Sequence, residues 1–284
     1  MVSIVLALVS AITYGTSDFL AGLMTRRASV FVVTFVGQAS AGIVTWFALL
    51  WAGGPLSSGA ALWGVAAGSG AWLGTIFLYR GLARGSMSVV GPVSAVIAAA
   101  GSALVGVLLG DRLSGVESCG VLLACAAIAL VSVQNGEAPS VSSLSTSGLL
   151  DAIAAGVGFA ALFVSLNRAG TGSGVWPVAI GQATGLGLVV AVVAVLGLRR
   201  DVDVRTVSRV WTGAVPAGLL GGAATIAFFY ATQAGLLSVS AVIASLYPAA
   251  TVALAIAFLH ERVRRIQRVG LGLAAVAVAL LAIR

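Results

Sequence analysis

QNGEAPSVSSLSTS, residues 134–147, decides how the rest of the chain is read. Gly136 and Pro139 interrupt regular structure, and serines stand at 140, 142, 143, 145 and 147. The composition is that of a flexible linker. On either side the sequence is strongly apolar, and each side holds five apolar runs. The chain therefore divides into a first five-helix repeat (1–134), a polar Ser-rich linker (135–146) and a second five-helix repeat (147–284).

The apolar runs set the fold class. A spanning helix needs about 20 mostly apolar residues, and ten runs qualify: roughly 2–22, 30–51, 60–81, 87–110, 115–134, 147–168, 174–197, 211–232, 237–259 and 266–283. Hydrophobic residues make up 60% of the 284, charged residues only 8%, and the mean hydropathy is +1.13. A soluble domain carries roughly 25% charged residues, so this chain has too few to cover a surface facing water. The expected fold is all-α and integral to the membrane, with ten transmembrane helices. The 37 glycines agree, because helices in lipid approach one another through small residues. No basic residue precedes the first apolar run, which reads as a retained span rather than a cleaved signal peptide. Richness in Ala, Gly, Val and Arg without Lys fits a GC-rich bacterial genome, and the expected location is the cytoplasmic (inner) membrane.

The two blocks repeat one another. Gly37-Gln38-Ala39-Ser40 in span 2 matches Gly181-Gln182-Ala183-Thr184 in span 7, an offset of 144. Gly85, Ser88 and Val89 match Gly235, Ser238 and Val239 at an offset of 150. At that same offset Leu109-Gly110-Asp111-Arg112-Leu113 meets Leu259-His260-Glu261-Arg262-Val263. Five spans per copy is an odd number, so the second copy enters the membrane from the opposite side. An inverted-topology repeat is the device by which many secondary transporters expose a midplane site alternately to the two sides.

This arrangement resembles the EamA-like group of the drug/metabolite transporter superfamily. The resemblance rests on the five-plus-five repeat and on a Gly-Glu-Arg-Leu-like turn after the fourth span of each half. Those turns are Gly110-Asp111-Arg112-Leu113 and His260-Glu261-Arg262-Val263. Tyr247-Pro248 is similar to the family's proline-containing ninth span. The first turn carries Asp for Glu and the second His for Gly, and the offset of 150 pairs Pro92 with Val242 rather than with Pro248. The resemblance implies movement of small metabolites, such as amino acids or drugs, by alternating access, with efflux the expected direction.

All fifteen basic residues are Arg. Twelve lie in or beside the loops joining spans 1–2, 3–4, 7–8 and 9–10, leaving Arg112, Arg168 and Arg284. Basic loops beside spans mark cytoplasmic anchoring, and no patch interleaves Arg with aromatics as nucleic-acid binding requires. By this distribution both termini lie outside, whereas the family resemblance implies both inside. A chain without Lys has no Gly-x-x-x-x-Gly-Lys phosphate loop, so ion gradients or passive flow supply the energy. No cofactor or metal is expected. Arg199, Arg200, Arg205 and Arg209, among Asp201 and Asp203, read as a solvated loop.

Asp18 is the acidic residue well inside an apolar run, with Asp151 at the start of span 6. A charge at the centre of a span costs about 2.5–3.5 kcal/mol on insertion scales, so it faces a cavity or a partner. Asp18 is the candidate for coupling to protons or cations; the plainer alternative is a carboxylate hydrated near the interface. Gln38 and Gln182 hold matched places in spans 2 and 7. Each amide can donate and accept toward a polar solute, or serve as glue between helices. Tyr14, Trp72, Phe159, Phe163, Phe228 and Tyr247 are aromatic candidates for the same cavity, by stacking or cation–π attraction, with simple packing the competing role. Trp46, Trp51 and Trp211 read as interface anchors, and the Asp111-Arg112 and Glu261-Arg262 turns as helix caps.

Other classes fit less well. His260 is the only histidine, and Gly68-Ser69-Gly70 has no base beside it, so an intramembrane enzyme is not expected. Cys119 and Cys125 fall on different faces of one span, which suits neither a metal nor a disulfide. A channel would need rings of charge or carbonyls. A non-transporting assembly or adaptor protein on the same fold is the remaining alternative. Small-residue pairs such as Gly64/Gly68, Gly181/Gly185 and Gly218/Gly222 can pack spans within one chain, and the expected state is a monomer or weak dimer.

Overall fold

The computed structural model describes every residue except 26, 29, 85–86, 133–145, 196–203, 260–263 and 284. Residues 135–145 of the linker, Gly85, the loop charges at 199–203 and the His260-Glu261-Arg262-Val263 turn lie outside the described residues. Most of the rest is helical: α1 (Val2–Thr25), α2 (Val30–Ala52), α3 (Ser58–Arg84), α4 (Met87–Leu108), α5 (Gly115–Val131), α6 (Thr146–Arg168), α7 (Trp176–Val195), α8 (Val204–Gln233), α9 (Leu237–Ala244), α10 (Tyr247–Leu259) and α11 (Arg265–Ala282). An apolar run in lipid has one way to satisfy its own backbone, and that is to coil.

Seven of these segments are long and apolar enough to cross a membrane, counting Leu237–Leu259 as one, and three apolar helices are shorter. The shorter ones include α5, whose 17 residues rise only about 25 Å. Two predicted spans keep their bounds, as Val210–Gln233 and Leu237–Leu259, while the helices that form them differ from a single rod of that length. The eighth was read from 211, but its helix starts at Val204, because a helix can run beyond the hydrocarbon with arginines on its first turns. The ninth, read as one helix over 237–259, is broken at Ser245 and Leu246. Pro248 has no N–H to offer the Ala244 carbonyl, and its ring crowds that turn.

Turn chemistry ends the helices where the sequence allows it. Gly110 adopts φ 112° after α4, a conformation that favours glycine. The Asp111 N–H then bonds the Gly106 carbonyl and the Gly110 N–H that of Val107, each at 3.0 Å, a Schellman closure. Ser114 and Glu117 follow as a reciprocal capping box that starts α5.

The main packing crosses between the repeats. Helix α1 lies on α8 as α6 lies on α3, and α2 lies on α8 as α7 lies on α3. Helix α4 packs on α6 as α9 and α10 pack on α1, while α5 pairs with its own counterpart α11. Two glycines carry this exchange symmetry to atomic detail. Gly68 of α3 lies against the Gly181 carbonyl and the Thr184 side chain of α7. Gly218 of α8, at the offset of 150, lies against the Gly37 carbonyl and the Ser40 side chain of α2. A β-carbon at either glycine would overlap that carbonyl.

At one end the loop after α2 engages the segment before α7. Val175 donates to the Ala52 carbonyl at 3.1 Å, and the Trp176 indole donates to the Gly54 carbonyl at 2.9 Å. Trp46 meets Trp176 edge to face, 5.8 Å between centroids. At the start of α6, Asp151 is buried and takes two hydrogen bonds from the exposed Arg80 of α3. Arg80 also lies over the Phe77 ring, 4.5 Å from its centroid. Cys119 and Cys125 are free thiols.

Candidate functional site

The site is built where α1 passes between α8 and α10. Gly15 lets α1 approach closely, since a side chain there would run into the Tyr247 carbonyl and Ala250. Thr251 fastens the contact by donating to the Gly15 carbonyl at 3.0 Å. One residue before that approach and three after it, α1 presents Tyr14 and Asp18, four residues apart and so on one helix face.

Tyr14 and Thr225 of α8 share a 2.7 Å hydrogen bond. The Thr225 hydroxyl spends its single proton on the Gly221 carbonyl, 2.8 Å away, so the tyrosine is the donor. Gln182 of α7 reaches the same oxygen from the other side through a long 3.5 Å contact from its amide nitrogen. Thr225 thus ties α1, α7 and α8 together. The Tyr247 ring lies 6.5 Å from that of Tyr14, inclined at 59°. Asp18 is exposed on the face of α1 that it shares with Tyr14. Further along, Phe19 and Phe258 continue the α1–α10 contact with centroids 6.3 Å apart.

Gln182 also borders a groove of about 570 Å³ between α2 and α7, otherwise lined by apolar side chains such as Ile43, Trp46, Leu186 and Val190. Gln38 stands on the α2 side of that seam with its amide over Gly185.

The other candidates are placed elsewhere. Phe163 and Phe228 pack against one another, tilted by 41° with 4.4 Å between centroids, and both are buried in one apolar cluster. Their rings are packing material in this conformation. Phe159 lies against Gly74 where α6 meets α3, and Trp72 is half-buried on α3. Of the nine cavity candidates, the structure brings together Tyr14, Asp18, Gln182 and Tyr247. Thr225 was missed, since a lone threonine in an apolar run carries no pattern. A signal did exist: Thr75 stands at the offset of 150 and likewise donates to the carbonyl four residues back, that of Ala71, at 2.9 Å.

The first-turn aspartate caps a helix of the opposite repeat. The N-cap of helix α9 is Leu236, which offers no side-chain cap. Asp111 supplies one, accepting from the Ser238 N–H at 2.8 Å and from its hydroxyl at 2.7 Å.

A five-plus-five helical repeat, cross-packed about a polar site on α1, can be compared with known proteins. The model of the EamA-like transporter family matches residues 1–133 and again 146–283. The chain belongs to the EamA-like transporter family. It is a multi-pass membrane transporter, and its small-molecule substrate and lipid surroundings follow from that membership. A solved crystal structure superposes on this EamA-like chain with a TM-score of 0.76 at 17% identity, covering 99% of this chain and 96% of the other. At that identity the likeness concerns the fold. No curated protein matches the sequence.

Proposed function

We propose that this EamA-like chain is a secondary carrier that moves small metabolites, such as amino acids or drugs, out across the cytoplasmic membrane by alternating access. The observation that supports this reading is the paired seat of Gly68 on Gly181 and Thr184 and of Gly218 on Gly37 and Ser40. Each repeat grips the other through the same contact. For any conformation closed at one end, exchanging the roles of the repeats gives a near-equivalent one closed at the other. The two copies differ here in one respect: α4 is continuous, while its counterpart is broken into α9 and α10 beside Tyr247. Broken helices at the repeat interface are where carriers hold solutes. Asp18 is the coupling group of this reading, exchanging a proton or cation with the solute. Gln38, Trp72 and Phe159 lie along surfaces that the exchange of shapes would bring to the same opening.

Counterflow in proteoliposomes tests it. Purified protein preloaded with one of a panel of amino acids, amines and drugs is expected to accumulate the labelled form of its substrate, saturably. A well-folded sample that gives no flux with any of them would favour the adaptor alternative.

A further inference from the structure

We propose that the opening between α1, α8 and α10 binds organic cations bearing an apolar arm, with the positive centre against Asp18 and between the Tyr14 and Tyr247 rings. The proposal rests on the carrier reading of the same site and names its substrate class.

Charge is the first argument. Two aspartates stand within apolar helices, and of these Asp151 is buried and already closed by Arg80, while Asp18 is open. Among the described residues Asp18 has no ion pair and no hydrogen bond. The sequence has no arginine before Arg26 and none between Arg209 and Arg262, and its one histidine, His260, comes after α10. Helix α1 up to Asp18, the inner part of α8, α9 and α10 therefore offer nothing to balance an anion. A carboxylate held in a span is costly unless something compensates it, and a cationic solute is what this site lacks.

The aromatic groups are the second. Two tyrosine rings lie 6.5 Å apart and inclined at 59°, and Tyr14 is one helical turn from Asp18 on the same face of α1, a setting in which ring faces attract an ammonium. The Tyr14 hydroxyl is committed to Thr225, and Thr225 to Gly221.

Asymmetry between the repeats is the third. The fold's own polar fittings are duplicated, as in Thr75 with Thr225 and Gln38 with Gln182. The charged and aromatic groups are not. Offsets of 144 for α1 and 150 for α10 pair Asp18 with Leu162, Tyr14 with Gly158 and Tyr247 with Ile97. What both copies share builds the scaffold, and what one copy adds is the cation site. The apolar arm has its place in the groove between α2 and α7, which meets the site at Gln182.

The test uses the full chain in detergent and in proteoliposomes, with benzyltrimethylammonium, benzyl alcohol and benzoate as probes of one shape class and three charges. Benzyltrimethylammonium is expected to bind saturably, at least tenfold tighter than the other two. Asp18→Asn should lose at least tenfold in that affinity while melting like the parent, and Asp18→Glu should retain most of it. Tyr247→Leu should weaken the cation and leave benzyl alcohol unchanged. Equal or tighter binding of benzoate or benzyl alcohol, no binding of the cation, or undiminished cation binding by Asp18→Asn would each overturn the proposal. Saturable cation binding without counterflow would reject the carrier reading and keep the site. Counterflow of neutral or anionic solutes without cation binding would keep the carrier and reject the cation.

Discussion

Asp111, in the turn that closes α4, holds the N-terminus of α9 in the opposite repeat, accepting from both the N–H and the hydroxyl of Ser238. The Schellman turn at Gly110 aims the carboxylate there, and Leu236 has no side chain able to do the same work. A local rule of helix ends thus becomes a link between the halves.

Asp111→Ala is expected to destabilise the protein by about 1–3 kcal/mol, the range for hydrogen bonds to a charged group and for a lost N-cap. Asp111→Asn, which keeps an acceptor, should cost less. Denaturant melts followed by tryptophan fluorescence would show the order, and an unchanged Asp111→Ala protein would mean that the cap contributes nothing.

The paired glycines give a prediction of symmetry. Gly68→Val and Gly218→Val each force a side chain onto a backbone carbonyl, and overpacking of this kind costs about 1–3 kcal/mol. The two losses should be similar, since the seats are related by the repeat. Gly42→Ala and Gly187→Ala, where a β-carbon meets open space, should not destabilise and should gain up to about 1 kcal/mol, alanine being the better helix former. A large difference between the first pair would contradict their equivalence.

Much of this architecture was legible in the sequence, for physical reasons particular to membranes. Length and apolarity bound a span, so the first repeat's helices begin and end within a few residues of the runs that predicted them. What the sequence hid was tertiary. Asp151 reads as a residue at a span start, and only the fold brings Arg80 to it across 71 positions. Phe163 and Phe228 share the composition of cavity-lining rings, but nothing in helical spacing separates a ring facing a cavity from one facing another ring. The break before Tyr247 was within reach of reasoning, because Pro248 removes a hydrogen bond wherever it stands in a helix. A run of apolar residues on both sides concealed it.

Arg80 and Asp151 should behave as a coupled pair. Arg80→Gln leaves a buried carboxylate without its guanidinium, whereas the double variant with Asp151→Asn removes the stranded charge as well. The double variant is expected to melt higher than Arg80→Gln alone. A double-mutant cycle measures this directly, and simple additivity would show that the pair is not coupled.

The broken segment between α9 and α10 offers the sharpest separation of stability from function. Pro248→Ala restores an N–H opposite the Ala244 carbonyl and removes the ring that crowds that turn, so the two helices can join through Ser245 and Leu246. Exchanging a proline for a good helix former within a helix favours continuity by about 3 kcal/mol. The variant is therefore expected to be at least as stable as the parent, with slightly more helix by circular dichroism. Joining the helices rotates Tyr247 relative to Gly15 and Tyr14, against which it is now set. Counterflow should fall severalfold although folding is intact. A variant that transports as well as the parent would show that the break serves packing alone, and one that fails to fold would show that Pro248 holds a turn the bundle depends on.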